Sequence, residues 1–450
     1  MIDTCLYSPE PEFAAFGGGA GAGTPVTRTQ AEREIAPAQA AVATGTRVRI
    51  ALAHDWLVGY RGGEAVLEHI ARVVHRRYEV AGLYTMFADR DAIAAQFPAA
   101  PPPDRGVRDI ATLHTSFVNR LPGSKVFRRW MLPLYPRAVE DLADQLAREH
   151  AREPIDLLIS TSSAAIKGLK PPAGVPHVCY CHAPARYLWS QTDLYAQGSG
   201  GGLRALGLQA FGGSLRDWDT RTSSNVTAFL ANSAHIQREI DRCYRRASLV
   251  VHPPVDTRFF TMRAGLPRYG FWLYVGALEP YKRVDILINA AKLAGAKLVI
   301  VGGGSQAQHL RSLSATPGAA NAVIEFAGRL SNSDLLAIYR MAGVLLFPQI
   351  EDFGIVAVEA QACGLPVVAY RAGGALDSVI DGETGVLFDA QTPEAIAEAA
   401  ERALSLGDVG LACRANAERF GIERFEREIA RVIDDTLRAK GAHFTESEGP

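Results

Sequence analysis

Two carboxylates, Glu351 and Glu359, stand eight positions apart in Gln349-Ile-Glu-Asp-Phe-Gly-Ile-Val-Ala-Val-Glu-Ala-Gln-Ala362, with Gly354 between them. The preceding Gly343-Val-Leu-Leu-Phe-Pro348 reads as a short buried strand. Ile355 to Cys363 reads as a helix ended by Gly364 and Pro366. A helix that starts just past a strand offers unpaired backbone N–H groups with partial positive charge, and these suit a phosphate. Glu351 falls in the turn and Glu359 about one turn into the helix. A phosphate on the amides, a sugar on one carboxylate and ribose hydroxyls on the other would use this spacing. For either carboxylate alone, the plainer account is an acidic helix start favoured by the dipole.

Further candidates follow other strands. Gly276-Ala-Leu-Glu-Pro-Tyr-Lys-Arg-Val-Asp285 places Lys282 and Arg283 at the start of the next helix, against its dipole. An anion between them would resolve that conflict; a solvated charged turn is the alternative. Gly302, Gly303 and Gly304 make a close-approach turn after a strand. With Glu325 ending the next strand they admit a dinucleotide reading, but their spacing does not match G-x-G-x-x-G. His182, in Cys181-His-Ala-Pro-Ala-Arg-Tyr-Leu-Trp189, lies just past a strand end, the edge where open α/β sheets bind ligands. A lone histidine is more often structural, but Arg186, Tyr187 and Trp189 favour a shaped polar pocket. Gly62 and Gly63, at another strand-to-helix turn, fit a plain tight turn as well as a ligand contact.

The elements that must position these residues form a βα alternation. Arg47–Ala53, Glu79–Thr85, Ile155–Ser160, Val175–Tyr180, Val226–Asn232 and Ser248–His252 read as strands of a first half. Phe271–Val275, Lys297–Val301, Val323–Ala327, Val344–Phe347, Val367–Tyr370 and Val386–Phe388 read as strands of a second, more regular half. Near-continuous apolar strands separated by helices imply parallel sheets covered on both faces. Pro253 and Pro254 make a stiff exit between the halves. The glycine-rich stretch Gln197–Gly213 reads as a mobile loop.

At 450 residues the chain is long enough for two or three domains. A net charge of −1 gives no electrostatic case for nucleic acid. Six scattered cysteines without zinc spacing point to a reducing, cytoplasmic location, and no apolar run is long enough to span a bilayer. With no Asp-x-Asp loop and no His/Cys cluster, no metal is expected. Lys125, Arg128, Arg129 and Arg137 mix with Phe127, Trp130 and Tyr135, a pattern that suits an anionic membrane surface or a half-buried segment with a basic edge.

Together these motifs resemble glycosyltransferase family 4 over about residues 47 to 440. The resemblance rests on Glu351 and Glu359 as the Glu-x7-Glu signature, Pro280-Tyr-Lys-Arg-Val-Asp285, Val251-His-Pro-Pro-Val-Asp256, and Gly373-Gly374 before a helix. It implies the GT-B fold, two doubly wound Rossmann-like α/β domains facing a cleft. It further implies a nucleotide-sugar donor, a glycan or lipid-linked acceptor, retention of anomeric configuration, and no cofactor. By this resemblance Lys282 and Arg283 hold donor phosphate, Glu359 takes the ribose hydroxyls, and His182 contacts the transferred sugar. Glu351 and the amides of Phe353, Gly354, Ile355 and Val356 hold sugar and phosphate, and Gly62, Gly63, Gly302 and Gly303 complete the donor site. The chain departs from the pattern at Ala277, where many members carry an arginine, and Arg283 is the expected substitute. The Cys181–Trp189 segment and the Pro-Tyr-Lys-Arg run are similar to a bacterial branch that uses GDP-mannose to build surface polysaccharide.

The expected organisation is a disordered extension over 1–46, an acceptor-binding domain over 47–254 and a nucleotide-sugar-binding domain over 255–421. A helix over 422–440 packs back across the hinge, and a disordered tail occupies 441–450. The location is cytoplasmic, peripheral on the inner membrane face through Lys125, Arg128, Arg129 and Trp130. The alternatives are a UDP- or ADP-sugar-dependent glucan synthase or an epimerase on the same fold, a nucleotide-sugar-binding partner without turnover, and an NAD enzyme.

Overall fold

Two parallel sheets carry the molecule. The computed structural model describes residues 47–99, 103–190, 201–263, 265, 268–316 and 322–447. The side chains of Val126, Arg129, 201–210 and 442–447 lie outside the described residues, as does the expected extension over 1–46. From Arg49 onward the chain forms one unit. The first sheet contains β1 (Arg49–Leu57), β2 (Glu79–Ala88), β3 (Leu113–Thr115), β4 (Leu157–Ser162), β5 (His177–Cys181), β6 (Ala228–Ala231) and β7 (Ser248–Val250). The second contains β8 (Trp272–Val275), β9 (Lys297–Val301), β10 (Val323–Gly328), β11 (Val344–Phe347), β12 (Val367–Tyr370) and β13 (Gly385–Phe388).

The spatial orders are β3-β2-β1-β4-β5-β6-β7 and β10-β9-β8-β11-β12-β13, with every strand pair parallel. In each sheet the order reverses once, between β1 and β4 and between β8 and β11. Chains leaving those strands go to opposite faces, so a crevice opens at their carboxyl ends. Gly62 and Gly63 lie after β1. Lys282 follows β8 and Glu351 follows β11. Both sheets therefore present candidate residues at a switch point, which a linear reading of the strands does not disclose.

Side chains alternate across the second sheet. Leu273, Leu345 and Val367 bury one face against Ala357, Val358 and Ala360 of the helix Ile355–Ala362. Val344, Leu346 and Val368 bury the other against Ile286, Leu287 and Ala290. Fully burying each large aliphatic is worth about 1.5–3 kcal/mol, so the helix that carries Glu359 is fixed by its apolar side.

Several boundaries differ from expectation. Residues 201–213, part of the expected loop, belong to the helix Gly201–Thr222, while 197–200 lie outside the described residues. Each glycine costs a helix about 1 kcal/mol. Here the later turns compensate: Leu215 and Asp219 are buried, and Trp218 lies against Gly168. Lys282 and Arg283 come immediately before the next helix, not in its first turn. Pro280–Lys282 is a 3-10 turn, Arg283 has φ 53°, and the helix begins at Val284.

The last helix, Ile422–Ser447, continues past residue 440 through positions expected to be a tail. Phe425, Ile429 and Ile433 recur every four positions and are buried, giving the helix one apolar stripe. Its polar residues fasten it to the first half. Glu426 meets His69 Nδ1 at 3.1 Å and Arg76 Nη1 at 2.5 Å. Asp434 accepts from Arg77 at 2.9 Å, and Lys440 reaches Asp156 at 3.0 Å.

Candidate functional site

The turn between β11 and the helix Ile355–Ala362 is held from two sides. Gly354 takes φ 89°, and a Cβ on it would fall 2.6 Å from Phe347 Cζ, so only glycine serves there. Gly374 N donates to Glu351 O at 2.8 Å, and a Cβ on Gly374 would lie 2.3 Å from Phe353 Cα. This fixes Glu351, Asp352 and Phe353 just before unpaired helix amides. Lys282 Nζ forms an ion pair with Glu351 Oε1, and Gln349 Nε2 donates to the same oxygen at 3.3 Å. Burial pushes the Lys282 ammonium down to about 8, with the Arg186 guanidinium pushing the same way. At about 8 the group still carries its charge at neutral pH.

Glu359 lies further along the helix, half-buried. Burial pushes its carboxyl up to about 7; a hydrogen bond from Tyr339 OH to Oε2 at 3.2 Å lowers it, and Asp256 raises it. A carboxylate poised there would gain by accepting hydrogen bonds from hydroxyl donors, since they stabilise its charged form.

The facing wall is built by the first sheet. Asp55, buried in β1, accepts hydrogen bonds from the backbone N–H groups of Ser163, Ala164, Ala165 and Ile166 at 2.6–2.9 Å. It thereby fixes the turn after β4. His182 N donates to Ser162 O at 2.8 Å, and Asn232 Nδ2 donates to His182 O at 3.0 Å. The ring is placed so that its Nε2 would lie 3.5 Å from a Cβ on Gly63. That Nε2 is buried and has no hydrogen-bond partner among the described residues. A buried orphan of this kind calls for a ligand or a water. Burial, then His54 and Arg186, push His182 down to about 3, so the imidazole is neutral.

A buried network anchors the far end of the His182 segment. Asp219 Oδ1 lies 2.7 Å from Lys167 Nζ, both side chains being 1% exposed. Asp219 Oδ2 accepts from Trp189 Nε1 at 2.8 Å and from Tyr244 OH at 2.9 Å.

The two walls touch. Arg186 forms an ion pair with Asp352, and Ser233 Oγ donates to Asp352 O. Ala234 N donates to Asp377 Oδ2 at 2.7 Å. A Cβ on Gly62 would lie 3.4 Å from Ile355 Cδ1. Gly62, Gly63, His182, Lys282, Glu351, Phe353, Gly354 and Ile355 thus frame one crevice.

Other expected residues fall elsewhere. Arg283 Nε lies 3.4 Å from Asp285 Oδ1, and it lines a cavity of about 220 Å³ with Glu279, Gln306 and His309. Gly302 and Gly303 sit in the turn after β9, with Gly303 beside Arg329. Val356 follows Ile355 in the first helical turn. Sequence reading passed over Asp352, Ser233, Asp377 and Tyr339. The partners of Asp352, Ser233 and Asp377 are far away in the chain, Tyr339 meets Glu359 from a separate helix, and no local spacing signals any of them. Of the proposed membrane residues, Lys125 pairs with Asp89 at 2.8 Å, and Arg128 donates to Lys125 O and lies 6.0 Å from the Trp56 ring. Phe127 and Trp130 are exposed by 56% and 43%, and the Arg129 side chain lies outside the described residues. Among the described residues no helix is long and apolar enough to cross a membrane.

Residues 60–259 match the family model "Glycosyltransferase Family 4", and residues 265–420 match "Glycosyl transferases group 1". A D-inositol 3-phosphate glycosyltransferase of Acidothermus cellulolyticus is 38% identical over 224 residues, covering 44% of this chain and 50% of the relative. An uncharacterized glycosyltransferase, MJ1178, of Methanocaldococcus jannaschii is 30% identical over 177 residues, 39% of this chain and 49% of its own. The chain thus spans about half the length of these relatives. Among solved structures, the sucrose-phosphate synthase tll1590 of Thermosynechococcus elongatus superposes with a TM-score of 0.64 at 18% identity, over 87% of this chain and 100% of that one. Anabaena Alr3699/HepE in complex with UDP gives 0.62 at 16% identity, over 86% and 100%. The chain therefore carries a glycosyltransferase family 4 domain followed by a group 1 glycosyl transferase domain, on the GT-B fold of two Rossmann-like α/β halves.

Proposed function

We propose that this chain is a retaining glycosyltransferase that moves a hexosyl group from a nucleotide sugar to an acceptor hydroxyl. The observation that carries the reading is the Lys282–Glu351 pair, set at a helix start and facing the orphaned His182 Nε2 across the crevice. Lys282 and the amides of Gly354, Ile355 and Val356 hold the donor diphosphate, and Glu359 takes the ribose hydroxyls. The bond from the anomeric carbon to the phosphate oxygen loosens toward an oxocarbenium-like state. The acceptor oxygen bonds to that carbon from the leaving-group face, and its proton passes to the departing phosphate oxygen. Neutral His182 hydrogen-bonds the transferred sugar. Glu351 and Glu359 position the donor and form no covalent bond to it.

GDP-mannose is the proposed donor, on the Cys181–Trp189 and Pro280–Arg283 segments, with a glycan or polyprenyl-diphosphate-linked acceptor. The name of the Acidothermus cellulolyticus relative supports a second acceptor, a phosphorylated cyclitol. A thermal-shift panel of GDP-mannose, UDP-glucose, UDP-GlcNAc, ADP-glucose and NAD decides the donor. Ligands that bind only the folded chain raise its midpoint. GDP-mannose is expected to do so, and Glu359→Ala to abolish the effect. The shift is larger at pH 8 than at pH 6, because Glu359 ionises as pH rises through about 7. A response to UDP- or ADP-sugars alone would discard the mannosyl assignment, and no response to any sugar nucleotide would sink the reading.

The same proposal includes peripheral attachment to an anionic membrane. Exposed Phe127 and Trp130 beside Lys125 and Arg128 support it. Arg128→Glu combined with Arg129→Glu is expected to release the protein from phosphatidylserine vesicles in a flotation assay while donor hydrolysis persists. Undiminished flotation of the double variant would remove the membrane from the account.

A further inference from the structure

We propose that Arg186 is the second cation of the donor-phosphate site, delivered across the crevice to the place where Ala277 supplies none. This rests on the glycosyltransferase reading above. Lys282 is bound to Glu351 and Arg186 to Asp352. These carboxylates are consecutive residues, whose Cα atoms lie about 3.8 Å apart. The two cationic heads are therefore gathered at one turn, directly before Gly354 and the helix amides.

Arg283 does not share this place, being turned to Asp285 and the cavity of about 220 Å³. Ala277 is exposed at the end of β8, with its carbonyl accepting from Tyr274 OH at 2.9 Å. Nothing in its own side chain reaches an anion. Arg186 has the chemistry for the task, since a planar guanidinium binds phosphate oxygens in pairs. Its charge also depresses both Lys282 and His182, which places it near both. With donor bound, phosphate oxygens take the positions of the Glu351 and Asp352 carboxylates on the two cations. Donor phosphate then takes over a link between the two halves that the Arg186–Asp352 pair already makes, because Arg186 comes from one half and Lys282 from the other.

Inorganic pyrophosphate is the probe, with binding measured by calorimetry on the full chain. Arg186→Gln is expected to weaken pyrophosphate binding about tenfold or more. Adding Ala277→Arg to that variant restores most of the affinity, which relief of a merely structural defect would not do. In the parent chain affinity falls above about pH 8, where Lys282 loses its proton. In Arg186→Gln that fall moves to higher pH, because a neighbouring cation is gone. An Arg186→Gln chain that binds pyrophosphate as tightly as the parent, while Lys282→Ala does not, would overturn this assignment alone. Absent rescue together with an unmoved alkaline limb would also overturn it. A parent chain indifferent to pyrophosphate and to every sugar nucleotide would overturn the reading beneath it as well.

Discussion

Lys282→Ala lowers donor turnover by about 10²–10³-fold, the usual cost of one preorganised donor aimed at developing charge. The expectation follows from where negative charge grows when the diphosphate departs. Lys282 sits in a largely buried setting, its side chain 12% exposed, and is already drawn to the turn by Glu351. Little reorganisation is needed when phosphate takes the place of that carboxylate. The same residues set a pH profile. In the proposed role Glu359 is ionised to accept ribose hydroxyls, so kcat/KM is expected to rise through about pH 7. In the proposed role Lys282 is protonated, so kcat/KM is expected to fall above about pH 8. A narrow bell results, because kcat/KM reports the free protein. In Glu359→Gln the acid limb disappears at reduced activity, and in Lys282→Ala the alkaline limb disappears. Steady-state kinetics across this range provide the check. A Lys282→Ala variant within threefold of the parent would remove Lys282 from the chemistry.

Asp219→Ala destabilises the fold by about 3–5 kcal/mol, the range for removing one partner of a buried ion pair. The carboxylate and the Lys167 ammonium are both 1% exposed, and the substitution leaves that ammonium buried without its counter-charge. Trp189 Nε1 and Tyr244 OH lose their acceptor at the same time. Adding Lys167→Met recovers part of the loss, since the unpaired charge goes while the two donors stay unmet. Urea midpoints at constant m-value measure both effects. A cost below 1 kcal/mol for Asp219→Ala would mean that the pair is not an energetic anchor. Trp189 closes the segment that carries His182 and Arg186, so the loss reaches the crevice as well as the core.

The sequence discloses the parts of this protein that are local. The βα alternation is legible because parallel strands covered on both faces must be apolar throughout, as in Val344–Phe347 and Leu298–Val301. The spacing of Glu351 and Glu359 is legible because one strand end, one turn and one helix hold them. The Arg186–Asp352 link joins positions 166 residues apart, and no periodicity encodes it. Lys282 and Arg283 are adjacent cations with the same apparent promise. The left-handed backbone at Arg283 sends one to Glu351 and the other to Asp285. The helix Gly201–Thr222 is hidden for another reason. Its glycines argue for a loop, and only the burial of Leu215 and Asp219 at its far end outweighs them.

The ion pairs between the last helix and the first half also order events during synthesis. His69 and Arg76 are made early, but their partner Glu426 follows His69 by 357 positions. At about 5–20 residues per second a ribosome takes roughly 20–70 s to cover that interval. Throughout it, the nascent first half is without the carboxylates of Glu426 and Asp434 that its basic helix end later uses. Chaperones and proteases therefore meet a first half whose surface is completed only when translation has passed the second.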